Sequence, residues 1–200
     1  MDKKQSEISK VMGLRKTAVF LILIGILACD NSLSKKEKEN YIIKGKEVAQ
    51  TSFKEMRGQL VTQMKEGGPI QGIPFCNEQA LPITRSLSDK FNVTIKRTSD
   101  KLRNQKNAPS ERELEIIQNY KNSLANNEQL VPIVELDINN KKHFYTPILL
   151  KAECLICHGK LNESINSETA ALVKSLYPND KATGYEEGDL RGIWSITFKN

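Results

Sequence analysis

The stretch Cys154-Leu155-Ile156-Cys157-His158 is the most informative part of the 200-residue sequence. It has the spacing C-x-x-C-H, in which two thiols stand three residues apart and a histidine directly follows the second. This pattern is typical of c-type haem attachment, because the two thiols can add to the two vinyl groups of one haem while the imidazole binds the iron. The motif therefore predicts one haem c, bound covalently through Cys154 and Cys157, with His158 as an axial ligand of the iron.

Three other roles of a cysteine pair remain as alternatives. A zinc site could combine Cys154, Cys157 and His158 with Cys76 in a Cys₃His set. A redox disulfide would need a thioredoxin-like strand and helix, and no such context precedes Cys154. A structural disulfide requires only an oxidising compartment. Haem is favoured over these three, because the beginning of the chain independently indicates export.

Residues 1–28 have the composition of a bacterial export signal, with five basic and two acidic residues before an apolar run at 18–28. That run is too short to span a bilayer comfortably. The stretch Ile26-Leu27-Ala28-Cys29 resembles a lipobox, so we expect Cys29 to be the lipidated first residue of the mature protein. An uncleaved membrane anchor is the alternative. Both interpretations place the domain outside the cytoplasm, on the periplasmic face of a bacterial membrane, where covalent haem attachment normally occurs.

The net charge of +6 does not indicate a nucleic-acid partner. Removal of residues 1–28 takes away five basic and two acidic residues and leaves +3, with no basic block interleaved with aromatic residues. The short segment 29–40 is polar and is expected to form a tether to the membrane. Residues 41–200 then form the haem domain, and four cysteines are too few for a disulfide scaffold.

The apolar spacing predicts an α+β fold, with helices first and then an antiparallel sheet with inserted helices. One amphipathic helix is expected over about 36–65 and ends at Gly67-Gly68-Pro69. A second apolar stripe follows at 70–87, where Pro74 and Pro82 are expected to break or kink the helix. Further predicted elements are strands at 92–97, 130–138, 142–149 and 193–198, a turn at Asn139-Asn140, a capping box from Ser110 to Glu113, and a helix from Asn166 or Ser167 to Leu176.

The residues alone leave the sixth position of the iron open. Cys76 lies on the second apolar stripe and has no cysteine partner once the motif thiols bind haem, although a small buried hydrophobe is its alternative role. His143 lies in a predicted strand, where a solvated or hydrogen-bonded side chain is expected. Met56 and Met64 lie on a helical stripe and are expected in the core.

Four stretches, one of which contains the C-x-x-C-H motif, occur in a characteristic order. They are Phe75-Cys76-Asn77-Glu78, then Arg97-Thr98-Ser99 through Arg103-Asn104 to Asn107-Ala108-Pro109, then Cys154 to Gly159, then Tyr177-Pro178 through Gly184-Tyr185 and Gly188-Asp189 to Arg191-Gly192. With them, residues 41–198 resemble the PAS-like single-haem c-type cytochromes, long catalogued only as a domain of unknown function. Gln105 stands where that family often has proline.

The resemblance implies a PAS-like antiparallel sheet with N-terminal helices and a haem-binding loop. It also implies an unusual axial pair, with His158 as the proximal and Cys76 as the distal ligand of the iron.

Two classes of function fit a lipid-anchored haem domain. As a sensor of redox poise or of a diatomic gas, it would need a signalling partner protein, since no kinase, cyclase or methyl-accepting output is recognisable. As a one-electron carrier, it would need a redox partner, and a thiolate ligand would give it a low potential. We expect no enzymatic activity, because a peroxidase needs an open iron site and a distal acid or base, for which only His143 is available.

Overall fold

The structure is a computed structural model that describes residues 32–199, so the predicted signal peptide and Cys29 lie outside the described residues. Its elements are α1 Lys35–Phe91, β1 Val93–Thr98, α2 Glu111–Ala125, β2 Ile133–Leu136, β3 Lys142–Leu149, α3 Leu155–His158, α4 Ser167–Leu176 and β4 Leu190–Phe198. The expected α+β class, with helices before an antiparallel sheet, is confirmed. Among the helices of residues 32–199, none has the length and apolar character needed to cross a bilayer.

Helix α1 begins inside the segment predicted as a tether. The Ser34 hydroxyl accepts a hydrogen bond from the Glu37 backbone N–H at 3.3 Å, and the Glu37 carboxylate accepts one from the Ser34 N–H at 3.0 Å. This capping box satisfies two donors that would otherwise be orphaned at the helix end. Residues 35–40 are therefore helical, and of the described part of the polar segment only residues 32–34 are non-helical.

The predicted helix break at Gly67-Gly68-Pro69 is confirmed. Within α1, non-helical backbone angles occur at Gly67 and at Gly68, where φ is +59°. The expected break at Pro74 and Pro82 is wrong, since both prolines lie within helical backbone. Burial of the same segment against the rest of the fold supplies the reason, because packing of an apolar face outweighs the loss of single helical hydrogen bonds.

Four antiparallel strands form one sheet in the order β1-β4-β3-β2. The four predicted strands and the turn at Asn139-Asn140 are confirmed, and Asn140 takes the left-handed conformation that such a turn needs. Strand β2 is shorter than predicted because Pro132 has no N–H to donate to the ladder and Ile138 is fully exposed.

Both faces of the sheet are covered, which fixes its position in the domain. On one face, the α1 residues Val48, Ala49 and Leu87 pack against a cluster that includes Phe144 and Ile196. On the other face, α2 packs against the sheet through a second cluster, which contains Ile116, Ile117, Tyr120, Tyr145, Leu190 and Ile193. The segment of α1 beyond Gly68 forms a third cluster with α4, and it is this segment that carries Cys76.

Replacement of Gly45 by alanine should destabilise the domain by about 3 kcal/mol, because its Cβ would lie 2.2 Å from the ring of the fully buried Phe144. Gly58, on the same helix, is a matched control. No atom lies within 4 Å of its added Cβ, so Gly58→Ala should stabilise the domain by about 0.5–1 kcal/mol. Urea unfolding measures both variants, and equal effects would show that close contact between α1 and the sheet does not limit stability.

Candidate cofactor site

The C-x-x-C-H motif forms a single tight turn of the chain. A 3₁₀ turn over Ala152–Cys154 leads into the one-turn helix α3, which ends at Gly159 with extended backbone. Residues three apart on a helical turn lie on the same side, so Cys154 and Cys157 present their thiols together. The cysteines of the described chain, Cys76, Cys154 and Cys157, are all free and partly buried, so the structural-disulfide alternative receives no support.

His158 is oriented for coordination by a single backbone contact. Its Nδ1 lies 2.8 Å from the carbonyl oxygen of Ala182. A carbonyl can only accept, so Nδ1 carries the proton and Nε2 keeps a lone pair for a metal. Burial, followed by the charges of nearby arginines, holds the pKa of His158 well below its usual range, so the ring stays neutral.

Cys76 lies on the α1 segment that packs beside the motif. Cys157 packs against the cluster of Ile73, Val173 and Tyr177, so this segment, the motif and α4 meet. The side chain of Asn77 donates a hydrogen bond to the Leu176 carbonyl at 3.3 Å, which ties the turn after Cys76 to α4.

The thiols lie near enough to one another to interact electrostatically. Burial raises the pKa of Cys157 to about 11, opposed by Arg103, while Cys76 and Cys154 raise it further. Burial also raises the pKa of Cys76, against the lowering effects of Arg97 and Arg103. The structure therefore brings together Cys76 and the motif cysteines, which are 78 or more residues apart in the sequence.

Arg103 fastens the motif to the loop that holds His158. Its guanidinium pairs with Asp180 at 3.2 Å, and both side chains are almost fully buried. The Nη2 atom of Arg103 donates hydrogen bonds to the carbonyl of Cys157 at 2.7 Å and to that of Ala182 at 3.3 Å. One side chain thus holds both the attachment turn and the carbonyl that orients the histidine.

Two further arginines lie around Tyr185 and Trp194. Arg97 stands over the Trp194 ring at 5.7 Å, and Arg191 lies 5.8 Å from the centre of the Tyr185 ring. Tyr185 also meets His158 edge-to-face, with 6.5 Å between the ring centres. Burial lowers the pKa of Arg97 to about 10 and also lowers that of Arg191.

A family model described as Tll0287-like matches residues 32–199. The chain belongs to the Tll0287-like family. This confirms the family resemblance drawn from the four sequence stretches. Among solved structures, the chain is similar to the crystal structure of the cyanobacterial haem-protein Tll0287, with a TM-score of 0.58 and 19% sequence identity over 84% of this chain and 98% of that one. That likeness shows the fold, and no curated protein sequence matches the chain.

The other candidate ligands of this Tll0287-like chain lie in structural roles. His143 is hydrogen-bonded, as expected for a strand histidine, with Nε2 3.2 Å from the Asp137 carboxylate and Nδ1 3.1 Å from the Thr197 hydroxyl. Met56 is buried in the core as expected. The same expectation is wrong for Met64, which is only half-buried and packs against Gly72.

The zinc alternative is not supported by the geometry. Within residues 32–199, no three or more His, Cys, Asp or Glu side chains are grouped so that they could hold one metal ion. The Cys₃His set of Cys76, Cys154, Cys157 and His158 is therefore not assembled for zinc.

The same residues fit a covalently bound porphyrin. Two free thiols lie on one turn, and a neutral imidazole with a free Nε2 follows them. The buried hydroxyl of Tyr185, beside that imidazole, makes no hydrogen bond of ordinary geometry among the described residues, although the Arg191 guanidinium interacts with it. A buried hydroxyl next to a cation suits a negatively charged acceptor that the chain itself does not supply.

The sequence motif identified the thiols and the histidine, whereas Arg103, Asp180 and the Ala182 carbonyl carried no signal of their own. Arg97, Arg103 and Arg191 lie within the stretches on which the family resemblance rests, but no spacing assigned them a role.

Proposed function

We propose that this chain is a c-type haem protein that carries one haem, linked through Cys154 and Cys157, with His158 as the proximal ligand. The observation that carries the proposal is the turn on which two free thiols stand beside an imidazole whose Nδ1–H donates to the Ala182 carbonyl. A second support is the solved structure of similar fold, which is described as a haem-protein. Cys76, on the segment packed beside the motif, is the proposed distal ligand.

Haem bound here would supply a one-electron redox centre and, at a free axial position, a site for a diatomic gas such as CO or NO. Cys76 would bind the iron as a thiolate, and a thiolate stabilises ferric iron relative to ferrous iron. Its hold on the iron is therefore weaker after reduction. We propose that the protein is a redox or gas sensor in which reduction releases Cys76.

The position of Cys76 gives that release a structural consequence. Cys76 lies eight residues beyond the Gly68 break in α1, and Asn77 links the same turn to α4. Movement of this segment would alter the surface between α1 and α4. A signalling partner protein that contacts this surface would read the state of the haem.

A one-electron carrier in a periplasmic redox chain is the second candidate. Ile156, between the two attachment cysteines, is 41% exposed, and Leu161, just beyond the motif, is 52% exposed. Exposed apolar side chains beside an attachment site suit brief contacts with a redox partner. Binding of CO by the ferrous protein favours the sensor, whereas a ferrous iron that stays six-coordinate under CO favours the carrier.

Covalent attachment is tested directly on the purified protein. After denaturation and gel electrophoresis, the chain should still stain for haem, because thioether bonds survive unfolding. The Cys154→Ala/Cys157→Ala double variant should lose the stain completely, whereas His143→Ala should keep it. Extraction of the haem by acidified acetone, or the presence of zinc without iron, would refute the proposal.

The membrane location is a separate proposal, supported by the lipobox-like Ile26-Leu27-Ala28-Cys29 and the short apolar run before it. We propose that the mature protein begins at Cys29 and is held by lipid on the periplasmic face of a membrane. Mass spectrometry of the N-terminal peptide should find a lipid-modified Cys29, and Cys29→Ala should leave the leader uncut. An unmodified cysteine in the wild-type protein contradicts the lipid anchor.

A further inference from the structure

The candidate site contains more positive than negative charge. Arg103 donates to the carbonyls of Cys157 and Ala182, and Arg191 lies at the Tyr185 ring that meets His158. Arg97, at the Trp194 ring, also acts electrostatically on both His158 and Cys76. Within the described residues, Asp180 is the carboxylate that pairs with this group, through Arg103. Arg97 and Arg191, both half-buried, therefore form no ion pair with a carboxylate of the described residues, although Asp180 also acts on Arg191 from beyond ion-pair distance. Partly buried cations without a paired anion are unfavourable, so these two arginines indicate an anionic ligand.

The three arginines differ in how many hydrogen bonds they donate. Arg103 donates to the Asp180 carboxylate and to two backbone carbonyls. Arg191 donates to the Lys101 carbonyl at 3.1 Å, and Arg97 has its contact with the Trp194 ring. A guanidinium has five N–H donors, so Arg97 and Arg191 keep most of theirs available.

The hydroxyl of Tyr185 is a second observation at the same place. Tyr185 is 6% exposed, and its hydroxyl makes no hydrogen bond of ordinary geometry among the described residues, although the Arg191 guanidinium interacts with it and His158 meets its ring edge-to-face. The Lys101 ammonium lies 4.1 Å from the centre of that ring and donates to the Thr183 carbonyl. The Tyr185 hydroxyl and the Arg191 guanidinium thus lie together, and among the described residues no carboxylate forms an ion pair with this guanidinium.

We infer that Arg97, Arg191 and the Tyr185 hydroxyl bind the propionate carboxylates of the haem, while Arg103 only positions the attachment turn. The inference rests on the proposed haem function. The two propionates of one haem would supply the anionic charge that these arginines lack, and guanidinium–carboxylate contacts are often bidentate. An inorganic anion would match the charge but would not depend on the porphyrin.

The test compares haemin with its dimethyl ester, in which both propionates lose their charge. The full mature chain with Cys154→Ala/Cys157→Ala is used, so that binding is reversible and an absorbance titration gives both affinities. This parent should prefer haemin by about tenfold or more, since a charge-assisted hydrogen bond contributes that much or more. Adding Arg97→Gln/Arg191→Gln should bring the ratio of affinities close to one.

Two matched variants control for folding and for general charge. Arg112→Gln removes an exposed arginine that pairs with Glu115 and Glu135, and should leave the preference unchanged. Arg97→Lys/Arg191→Lys keeps the charge and should retain part of the preference. A preference that persists in Arg97→Gln/Arg191→Gln overturns the inference. The haem proposal itself is overturned by the absence of haem from the wild-type protein. If the parent, which lacks Cys154 and Cys157, binds neither porphyrin, the potential of the covalently loaded protein decides.

The covalently loaded protein gives a second readout that does not need the attachment cysteines removed. Arg97→Gln removes a positive charge near the iron and should shift the midpoint potential downward, since the ferric state gains relative stability. Arg112→Gln should not shift it. An unchanged potential in Arg97→Gln, together with a normal haem content, also overturns the inference.

Discussion

Replacement of Cys76 by alanine is expected to convert the ferric haem from low spin to high spin and to raise its midpoint potential. A thiolate is a strong anionic donor that stabilises ferric iron, and alanine leaves His158 as the single protein ligand. Axial ligands tune haem potentials over roughly 0.8 V, so we expect a rise on the order of 0.1 V. Absorption spectroscopy and a redox titration of the purified holoprotein measure both changes.

Covalent haem content should be unchanged in the Cys76→Ala variant, because the proposed attachment thiols, Cys154 and Cys157, are kept. Met64→Ala is the matched control, since Met64 packs against the same α1 segment at Gly72 and is an alternative to the proposed ligand Cys76. It should keep the low-spin spectrum. If Cys76→Ala has the spectrum and potential of the wild type, Cys76 is a buried hydrophobe, and His143 or a methionine becomes the candidate.

Local chemistry explains which parts of the fold were predictable. The capping box from Ser110 to Glu113 and the Asn139-Asn140 turn depend on residues a few positions apart, so their patterns are visible in the sequence. The central position of β4 in the sheet could not be predicted in this way, because its partners β1 and β3 come from distant parts of the chain. Strand order is set by long-range packing, which period-two alternation does not encode.

The candidate site also has a part that the sequence predicted and a part that it did not. The thiols and His158 form one contiguous motif, and Cys76 was placed beside them by a family resemblance. The contacts that orient them are non-local, since Arg103 meets Asp180 across 77 residues and Ala182 acts through its backbone carbonyl. A backbone acceptor has no sequence signature, so its role becomes visible only with the geometry.

Replacement of Arg103 by glutamine is expected to lower the free energy of unfolding by about 3–5 kcal/mol. The change leaves the Asp180 carboxylate buried without its cation, and breaking a buried ion pair from one side carries a penalty of this size. For a domain of this length, the loss corresponds to a fall in Tm of about 6–20 °C. Thermal unfolding followed by circular dichroism measures it.

The double variant Arg103→Gln/Asp180→Asn separates the unpaired charge from the lost hydrogen bonds. With neither charge of the ion pair left, it should recover part of the stability lost in Arg103→Gln, and the double-mutant cycle gives the coupling. Arg112→Gln is the control, because its exposed ion pairs contribute less than about 1 kcal/mol. Equal Tm values for Arg103→Gln and Arg112→Gln would contradict a stabilising role of the hydrogen bonds from Arg103 to the Cys157 and Ala182 carbonyls.

The same hydrogen bonds are expected to help orient His158. Arg103→Gln should then broaden the haem absorption bands, since the Ala182 carbonyl that accepts from the imidazole loses its second donor.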